Sequence, residues 1–132
     1  MLKVVNSLPE DTVFNEDFIN STKEYFKSPY QTTVLSVNDH EVVGCAAICY
    51  IKVMPAFDDP SGKRAHIMNV YTGNNHRRQG IAFRMMEMLI HEAKQKGVSE
   101  ISLDATELGR PLYKNCGFAD AEESMVLNIK SH

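Results

Sequence analysis

Two arginines and a glycine precede a long amphipathic segment, in an order that suits the binding of a phosphate group. Arg77 and Arg78 are followed by Gly80, and an apolar pattern of helical period begins at Ile81. The first turn of a helix has backbone N–H groups without intrahelical partners and carries the positive end of the helix dipole, so it stabilises an anion. Gly80 leaves room for close approach, and guanidinium groups pair well with phosphate oxygens. The segment predicts a phosphate site, with solvated arginines on an ordinary strand-turn-helix as the alternative.

The residues on either side of this segment support the same interpretation. Residues 64–72 predict a strand, and residues 81–96 predict a helix that ends before Gly97, a favourable C-terminal residue. The apolar positions of the helix are Ile81, Ala82, Met85, Met86, Leu89, Ile90 and Ala93. The chain has neither a Gly-x-Gly-x-x-Gly fingerprint nor a complete P-loop sequence, so the nucleotide-binding folds that use them are not favoured.

Two motifs in register resemble the signatures of one enzyme family. Arg77-x-x-Gly80-x-Ala82 is similar to the Arg/Gln-x-x-Gly-x-Gly/Ala signature of the GNAT N-acetyltransferase superfamily. The sequence Leu-Tyr-Lys-Asn-Cys-Gly-Phe at 112–118 resembles the Leu-Tyr-x-x-x-Gly-Phe segment of that family. The resemblance extends over residues 31–129, which is most of the chain.

This resemblance implies a fold and a domain organisation. The expected fold is α/β (α+β), with a GNAT-like mixed, mostly antiparallel sheet flanked by helices, in a single acyl-CoA N-acyltransferase domain over residues 1–132. The Ala-Thr-x-x-Gly-Arg-Pro-Leu-Tyr form at 105–113 is similar to a bacterial subgroup of the family. Relatives usually carry a strand and a long helix before the segment that matches Asp17 to Lys27. We therefore expect a short or truncated N-terminal element, in which residues 1–6 are either a brief strand or the tail of a first helix.

The resemblance also implies a reaction, which is transfer of an acetyl group from acetyl-CoA to a primary amine by direct attack in a ternary complex. The backbone N–H groups of Val70 and Tyr71, on a bulged strand, are expected to hold the pantetheine arm and to polarise the thioester carbonyl. Acetyl-CoA is the expected co-substrate, without a metal. Its phosphates are expected to bind Arg77, Arg78, Gln79, Gly80, Ile81, Ala82 and Phe83.

Tyr113 is the candidate general acid. It matches the tyrosine of the family segment, and a phenol with an ordinary pKa near 10 can protonate a departing thiolate. The alternative is an aromatic core residue between Leu112 and Phe118. Thr106 and Gly109 stand where many relatives carry Asn and Ala in contact with coenzyme A, and the threonine keeps a hydroxyl that can hydrogen-bond.

The general base is left open by the sequence. An amine with an ordinary pKa near 10.4 must lose a proton before it attacks, and relatives use different groups for this step. Side chains that accept protons are found at His66, Asp58, Asp59 and Asp104. A satisfied histidine and solvated or capping aspartates are the structural alternatives.

Composition restricts the location and the partners. The 132 residues, 43% of them hydrophobic, suit one packed core, and no apolar stretch is long enough to cross a bilayer. A formal charge of −3 disfavours broad nucleic-acid binding, and three cysteines without metal spacing favour a cytoplasmic setting. We expect a small-molecule or peptide amine as acceptor, neither nucleic acid nor membrane as partner, and leave a homodimer open. A non-catalytic acyl-CoA-binding or dimerising module is the alternative function.

The remaining elements follow from local patterns. An amphipathic helix, an antiparallel hairpin whose strands are joined at Asn38-Asp39, a strand and a short helix are predicted. Their ranges are 17–27 for the helix, 31–37 and 41–53 for the hairpin, 98–103 for the strand and 109–115 for the short helix. Residues 54–63 predict a loop that edges the acceptor site, and residues 124–129 predict further strands.

Overall fold

The computed structural model describes residues 14–121 and 123–131, and its centre is a sheet with the strand order β1-β2-β3-β4. The strands are β1 (Gln31–Asn38), β2 (Glu41–Lys52), β3 (Lys63–Thr72) and β4 (Glu100–Leu103). The helices are α1 (Glu16–Lys27), α2 (Ile81–Gln95) and α3 (Arg110–Asn115). The β1-β2 and β2-β3 pairs are antiparallel, and β3 and β4 are parallel. The predicted mixed, mostly antiparallel sheet flanked by helices is confirmed.

The predicted hairpin is formed by β1 and β2. Its two turn residues are Asp39 and His40, one position later than the predicted pair, with φ angles of 50° and 66°. A two-residue turn with positive φ at both positions follows the twist of the strands that it joins. The turn therefore holds the register that brings β2 against β3.

One face of the sheet is closed by α2. Met86 and Leu89 on the helix are fully buried in one cluster with Ile48 of β2 and Ile67 of β3. These helix positions belong to the apolar stripe that the sequence predicts, and the hydrophobic effect drives their burial. The start of α2 is thereby held beside the end of β3.

The pairing of β3 with β4 is short. It runs from Arg64 opposite Glu100 to Ile67 opposite Leu103, where β4 ends, whereas β3 continues to Thr72. Within the described residues, the last part of β3 has no strand on this side. The two strands separate here, and α3 follows the end of β4.

The first described helix covers the sheet loosely. The side-chain oxygen of Asn15 caps α1 by accepting a hydrogen bond from the Phe18 N–H at 2.7 Å. No residue of α1 is buried, and Phe18, Ile19 and Phe26 are at least 40% exposed. Its apolar face is thus half open in the described part of the chain. None of the three described helices combines the length and the apolar character needed to span a lipid bilayer.

The strands predicted at residues 124–129 are not formed. The described backbone there is irregular and ends in a 3-10 turn at Ile129–Ser131. Met125, Val126, Leu127 and Ile129 are at least 64% exposed. Strand propensity acts through packing and pairing, and within the described part of the chain these residues have neither, so the prediction was wrong. The two interpretations of residues 1–6 lie outside the described residues.

Candidate active site

A cleft of about 300 Å³ opens where β3 and β4 separate. Residues of β3, of the end of β4, of the segment that follows it and of α3 form its walls. They are His66, Ile67, Met68, Asn69, Val70, Leu103, Asp104, Thr106 and Tyr113. The cleft therefore brings together Val70 and Tyr113, which the sequence predicts as an oxyanion donor and a general acid.

A bulge in β3 forms one wall of this cleft. A single residue of β2, Ala46, faces two successive residues of β3, Asn69 and Val70. Asn69 has a φ of 56°, in the left-handed region. A bulge interrupts the hydrogen-bond ladder and bends the strand, so its backbone groups can face a ligand. The bulge expected near Val70 is present, whereas Tyr71 is paired with Cys45 and its side chain does not line the cleft.

Tyr113 lies on the opposite wall, on α3. Its ring packs edge-on against Phe118, with 6.3 Å between the ring centroids. Burial raises the pKa of the Tyr113 phenol above its ordinary value of 10.0, and the nearby Cys116 thiol adds to this shift. The hydroxyl therefore stays protonated at neutral pH and can donate its proton. The ring packs on the core and lines the cleft at once, so core packing does not exclude the acid role.

His66 is the base candidate that the structure places in the cleft with a defined hydrogen bond. Its Nδ1 lies 2.8 Å from the Ser102 hydroxyl oxygen, and that hydroxyl donates to the Ala65 carbonyl at 3.4 Å. Because the Ser102 hydrogen is directed to Ala65, its oxygen can accept from Nδ1–H of His66. The other ring nitrogen, Nε2, then carries a lone pair and lies 3.8 Å from the exposed Asp104 carboxylate. This tautomer suits a proton acceptor.

Two of the base candidates, Asp58 and Asp59, lie away from the cleft. Asp59 is buried in the loop between β2 and β3, where it pairs with Arg64 Nε at 3.4 Å and accepts a hydrogen bond from the Ser61 hydroxyl at 3.3 Å. Asp58 is exposed on the same loop, and neither residue lines the cleft. Asp59 therefore anchors the loop, and the loop does not edge this cleft, contrary to the sequence prediction.

The predicted phosphate turn joins β3 to α2. Arg77 Nε donates to the Thr72 carbonyl at 3.1 Å, which fastens the turn to the end of β3. Gly80 is the N-cap residue with a φ of 76°, and no side chain among residues 14–121 and 123–131 caps the helix. The first N–H groups of α2 are therefore available to an anion. Arg78, Gln79, Ile81, Ala82 and Phe83 belong to the same turn and helix start, which lie outside the lining of the cleft.

Sequence reasoning missed Ser102, Asn69 and Cys45. Ser102 is directed at His66 only through the parallel pairing of β3 with β4, which no local pattern encodes. Cys45 donates its thiol hydrogen to the Asn69 carbonyl at 3.2 Å across the bulge. The one available signal was the residue type of Asn69, because asparagine tolerates the left-handed conformation better than most residues.

The chain is similar to known acetyltransferases over most of its length. A sequence profile described as the Acetyltransferase (GNAT) family matches residues 3–118. Human N-acetyltransferase 8 is 27% identical over 119 residues, with 86% of this chain and 50% of the human protein covered, so the chain spans about half the length of that relative. Glucosamine 6-phosphate N-acetyltransferase 1 of Dictyostelium discoideum is 26% identical over 117 residues, with 86% of this chain and 73% of the Dictyostelium protein covered. A crystal structure of a predicted acetyltransferase with acetyl-CoA from Clostridium acetobutylicum is 27% identical, with a TM-score of 0.84 and coverage of 99% of this chain and 85% of that one.

Proposed function

This chain belongs to the GNAT family of acetyltransferases, and on that premise we propose that it transfers the acetyl group of acetyl-CoA to a primary amine by direct attack in a ternary complex. One observation carries the proposal: the β3 bulge at Val70 and the Tyr113 side chain line the same cleft. Acyl transfer needs donors for the developing oxyanion and an acid for the leaving thiolate. The two walls of the cleft offer one of each.

Acetyl-CoA, the acetyl donor, is bound by the turn before α2 and by the bulge of β3. The uncapped N–H groups after Gly80 and the guanidinium groups of Arg77 and Arg78 suit the phosphates of coenzyme A. The turn begins where β3 ends at Thr72, so a cofactor held at the turn can extend along β3 toward Val70. The related crystal structure with acetyl-CoA supports this choice of donor.

The chemistry proceeds without a covalent enzyme intermediate. A neutral amine attacks the thioester carbonyl carbon, and the N–H group of Val70 at the bulge stabilises the negative charge that develops on the carbonyl oxygen. The carbon–sulfur bond breaks as the intermediate collapses. Tyr113 donates its hydroxyl proton to the departing thiolate, which leaves as coenzyme A with a free thiol.

We assign the base to His66. Its Nε2 lone pair can accept the proton that the amine must lose, and the hydrogen bond between Nδ1 and Ser102 keeps the ring in that tautomer. Asp104, 3.8 Å from Nε2, stabilises the imidazolium that results. The proton then passes from His66 to solvent, since the His66 side chain is 26% exposed, and the Tyr113 phenolate takes up a proton, so both residues return to their starting states.

The acceptor is a primary amine of a small molecule or a peptide. The names of the human and Dictyostelium relatives both include N-acetyltransferase, which supports nitrogen as the attacking atom. A screen of polyamines, aminoglycosides, amino acids, amino sugars and peptide amines would identify the acceptor.

Isothermal titration with acetyl-CoA, followed by a thiol-release assay over that amine screen, tests the function. We expect saturable binding and amine-dependent thiol release. Binding without turnover on any amine would instead support a non-catalytic acyl-CoA-binding module, and an absence of binding would reject both functions. Variants with Arg77 and Arg78 replaced by Ala should weaken binding of acetyl-CoA and of free coenzyme A alike, because both carry the same phosphates.

A further inference from the structure

Asn69 holds a backbone conformation that needs support. Its φ of 56° lies in the left-handed region, which residues other than glycine seldom occupy. Such a conformation persists only where the surrounding structure holds it, and it often marks a functional constraint. Asn69 lies at the bulge, on the wall of the cleft, immediately before Val70.

Cys45 supplies a contact that holds this conformation. Cys45 is buried, with 8% of the residue exposed, and its thiol donates a hydrogen bond to the Asn69 carbonyl at 3.2 Å. Asn69 has no paired residue on β2, and a carbonyl without a partner in such a place is destabilising. Burial raises the pKa of the Cys45 thiol, so the hydrogen that it donates is retained at neutral pH. The thiol thus supplies at the bulge the hydrogen bond that a backbone N–H supplies in a regular ladder.

We propose that Cys45 and Asn69 are a pair of positioning residues that sets the direction of the backbone donors in the cleft. The thiol holds the Asn69 carbonyl toward β2, the left-handed turn at Asn69 follows, and the next N–H group along β3 faces the thioester carbonyl. Cys45 itself does not line the cleft, so it acts through the backbone of Asn69 and touches no reacting atom. The inference rests on the proposed function, because the donors matter only if the cleft binds an acetyl thioester.

Amide hydrogen exchange tests the geometry without any acceptor. Cys45→Ala removes the donor, Cys45→Ser keeps one, and Ile48→Val is a control that weakens the core on the same strand without touching Asn69. We expect exchange at the amide of Tyr71, which is paired with β2 beside the bulge, to rise about tenfold in Cys45→Ala and to stay near the wild-type rate in the other two variants. Wild-type exchange in Cys45→Ala, or equal acceleration in all three variants, would overturn the inference. If Cys45→Ala does not fold, Cys45→Val replaces it, since valine fills the space without a donor.

Replacement of Asn69 tests the other half of the pair. Glycine adopts the left-handed conformation freely, whereas a β-branched residue there is strained. Asn69→Gly should keep the wild-type exchange rate at the Tyr71 amide, and Asn69→Val should accelerate it about tenfold or more. Equal rates in the two variants would show that the bulge does not depend on this conformation, and the inference would fail.

Kinetics separates positioning from a loss of stability. At saturating acetyl-CoA and amine, kcat should fall about tenfold in Cys45→Ala, recover in Cys45→Ser and stay unchanged in Ile48→Val. The dissociation constant of free coenzyme A, which has no thioester carbonyl and is bound mainly through its phosphates, should change much less than kcat in all variants. A loss of kcat in Cys45→Ser as large as in Cys45→Ala would reject the thiol contact as the cause. If the wild-type protein has no turnover but the exchange rates behave as expected, the proposed function fails and the inference about the bulge stands.

Discussion

The ring of Tyr113 lies against the backbone of Gly109 so closely that a Cβ at Gly109 would stand 3.0 Å from Cε2 and 3.4 Å from Cζ. Gly109 has a φ of −85° and a ψ of −16°, which any residue adopts. The ring, and not the backbone conformation, therefore makes glycine favourable here. Cζ carries the hydroxyl, so Gly109 determines where the proposed acid sits.

Gly109→Ala should displace the Tyr113 ring by a few tenths of an ångström and lower kcat by about threefold, because proton transfer depends steeply on position. The decisive measurement repeats the substitution in a Tyr113→Phe background, where it should have no further effect on kcat. The control is Gly73→Ala, whose Cβ would meet only an ordinary contact at 3.5 Å. An equal loss in both backgrounds would mean that Gly109 acts on the fold and not through the acid.

Tyr113→Phe should lower kcat by about a hundredfold at saturating substrates, with little change in the KM for acetyl-CoA. Since the pKa of Tyr113 is raised, the phenol remains protonated through neutral pH, and ionisation of Tyr113 should not limit kcat below about pH 10. Steady-state kinetics from pH 6 to 9.5 checks both points. Tyr30→Phe, at a side chain that is 69% exposed, is the matched control. Unchanged turnover across pH in Tyr113→Phe would remove the acid role.

His66→Gln should lower kcat/KM by about tenfold or more, because the glutamine side chain has no ring nitrogen that can accept the proton of the amine. His91→Gln, at an exposed histidine on α2, is the matched control and should keep the wild-type kcat/KM. Steady-state kinetics with an amine identified in the screen measures both variants. A wild-type kcat/KM in His66→Gln would assign the base to another group.

Gly80→Ala should lower the free energy of unfolding by about 1 kcal/mol, since Gly80 has a φ of 76° and L side chains are strained there. No heavy atom of the described residues lies within 4 Å of the position that a Cβ at Gly80 would take, so strain and not a clash is the cause. Gly80→Asn should lower the free energy of unfolding by less, because asparagine tolerates this conformation. Urea denaturation and titration with coenzyme A check the result, and we expect weaker binding in the alanine variant. Equal stability of the two variants would contradict the argument from strain.

Tyr50→Phe should lower the free energy of unfolding at pH 7 by about 1 kcal/mol. The Tyr50 hydroxyl donates to the Glu92 carboxylate at 2.6 Å, and the Thr32 hydroxyl donates to the same oxygen at 2.7 Å. Burial alone would raise the pKa of Glu92, but these two hydrogen bonds and the nearby Lys96 ammonium outweigh it, so the pKa is lowered.

A lowered pKa in the folded state stabilises the fold above the unfolded pKa, and this contribution is lost as the pH falls through the folded pKa. The stability difference between wild type and Tyr50→Phe should therefore shrink as the solution is acidified below about pH 4. Urea denaturation from pH 3 to 8 measures it. A difference that is constant over this range would show that the hydrogen bond to ionised Glu92 is not its source.

The sequence by itself was sufficient for the features that depend on local spacing. The apolar stripe of residues 81–96 predicted α2, and Arg77, Gly80 and Ala82 predicted the turn before it. The alternation of short apolar runs with turn residues predicted the β1-β2 hairpin to within a residue or two at each end. These features are local because backbone preferences and helix amphipathicity are properties of neighbouring residues. The position of Tyr113 came from a motif of seven residues.

Only the tertiary structure decided which of these residues meet. Pairing of β3 with β4 placed Ser102 beside His66, and its early end at Leu103 opened the cleft between Val70 and Tyr113. Asp59, which the sequence also offered as a base candidate, is an anchor of a loop outside the cleft. Strand register and the lengths of paired edges depend on contacts between distant segments, and single-sequence periodicity does not contain them. For the same reason residues 124–129, apolar enough for a strand, have no strand partner in the described structure.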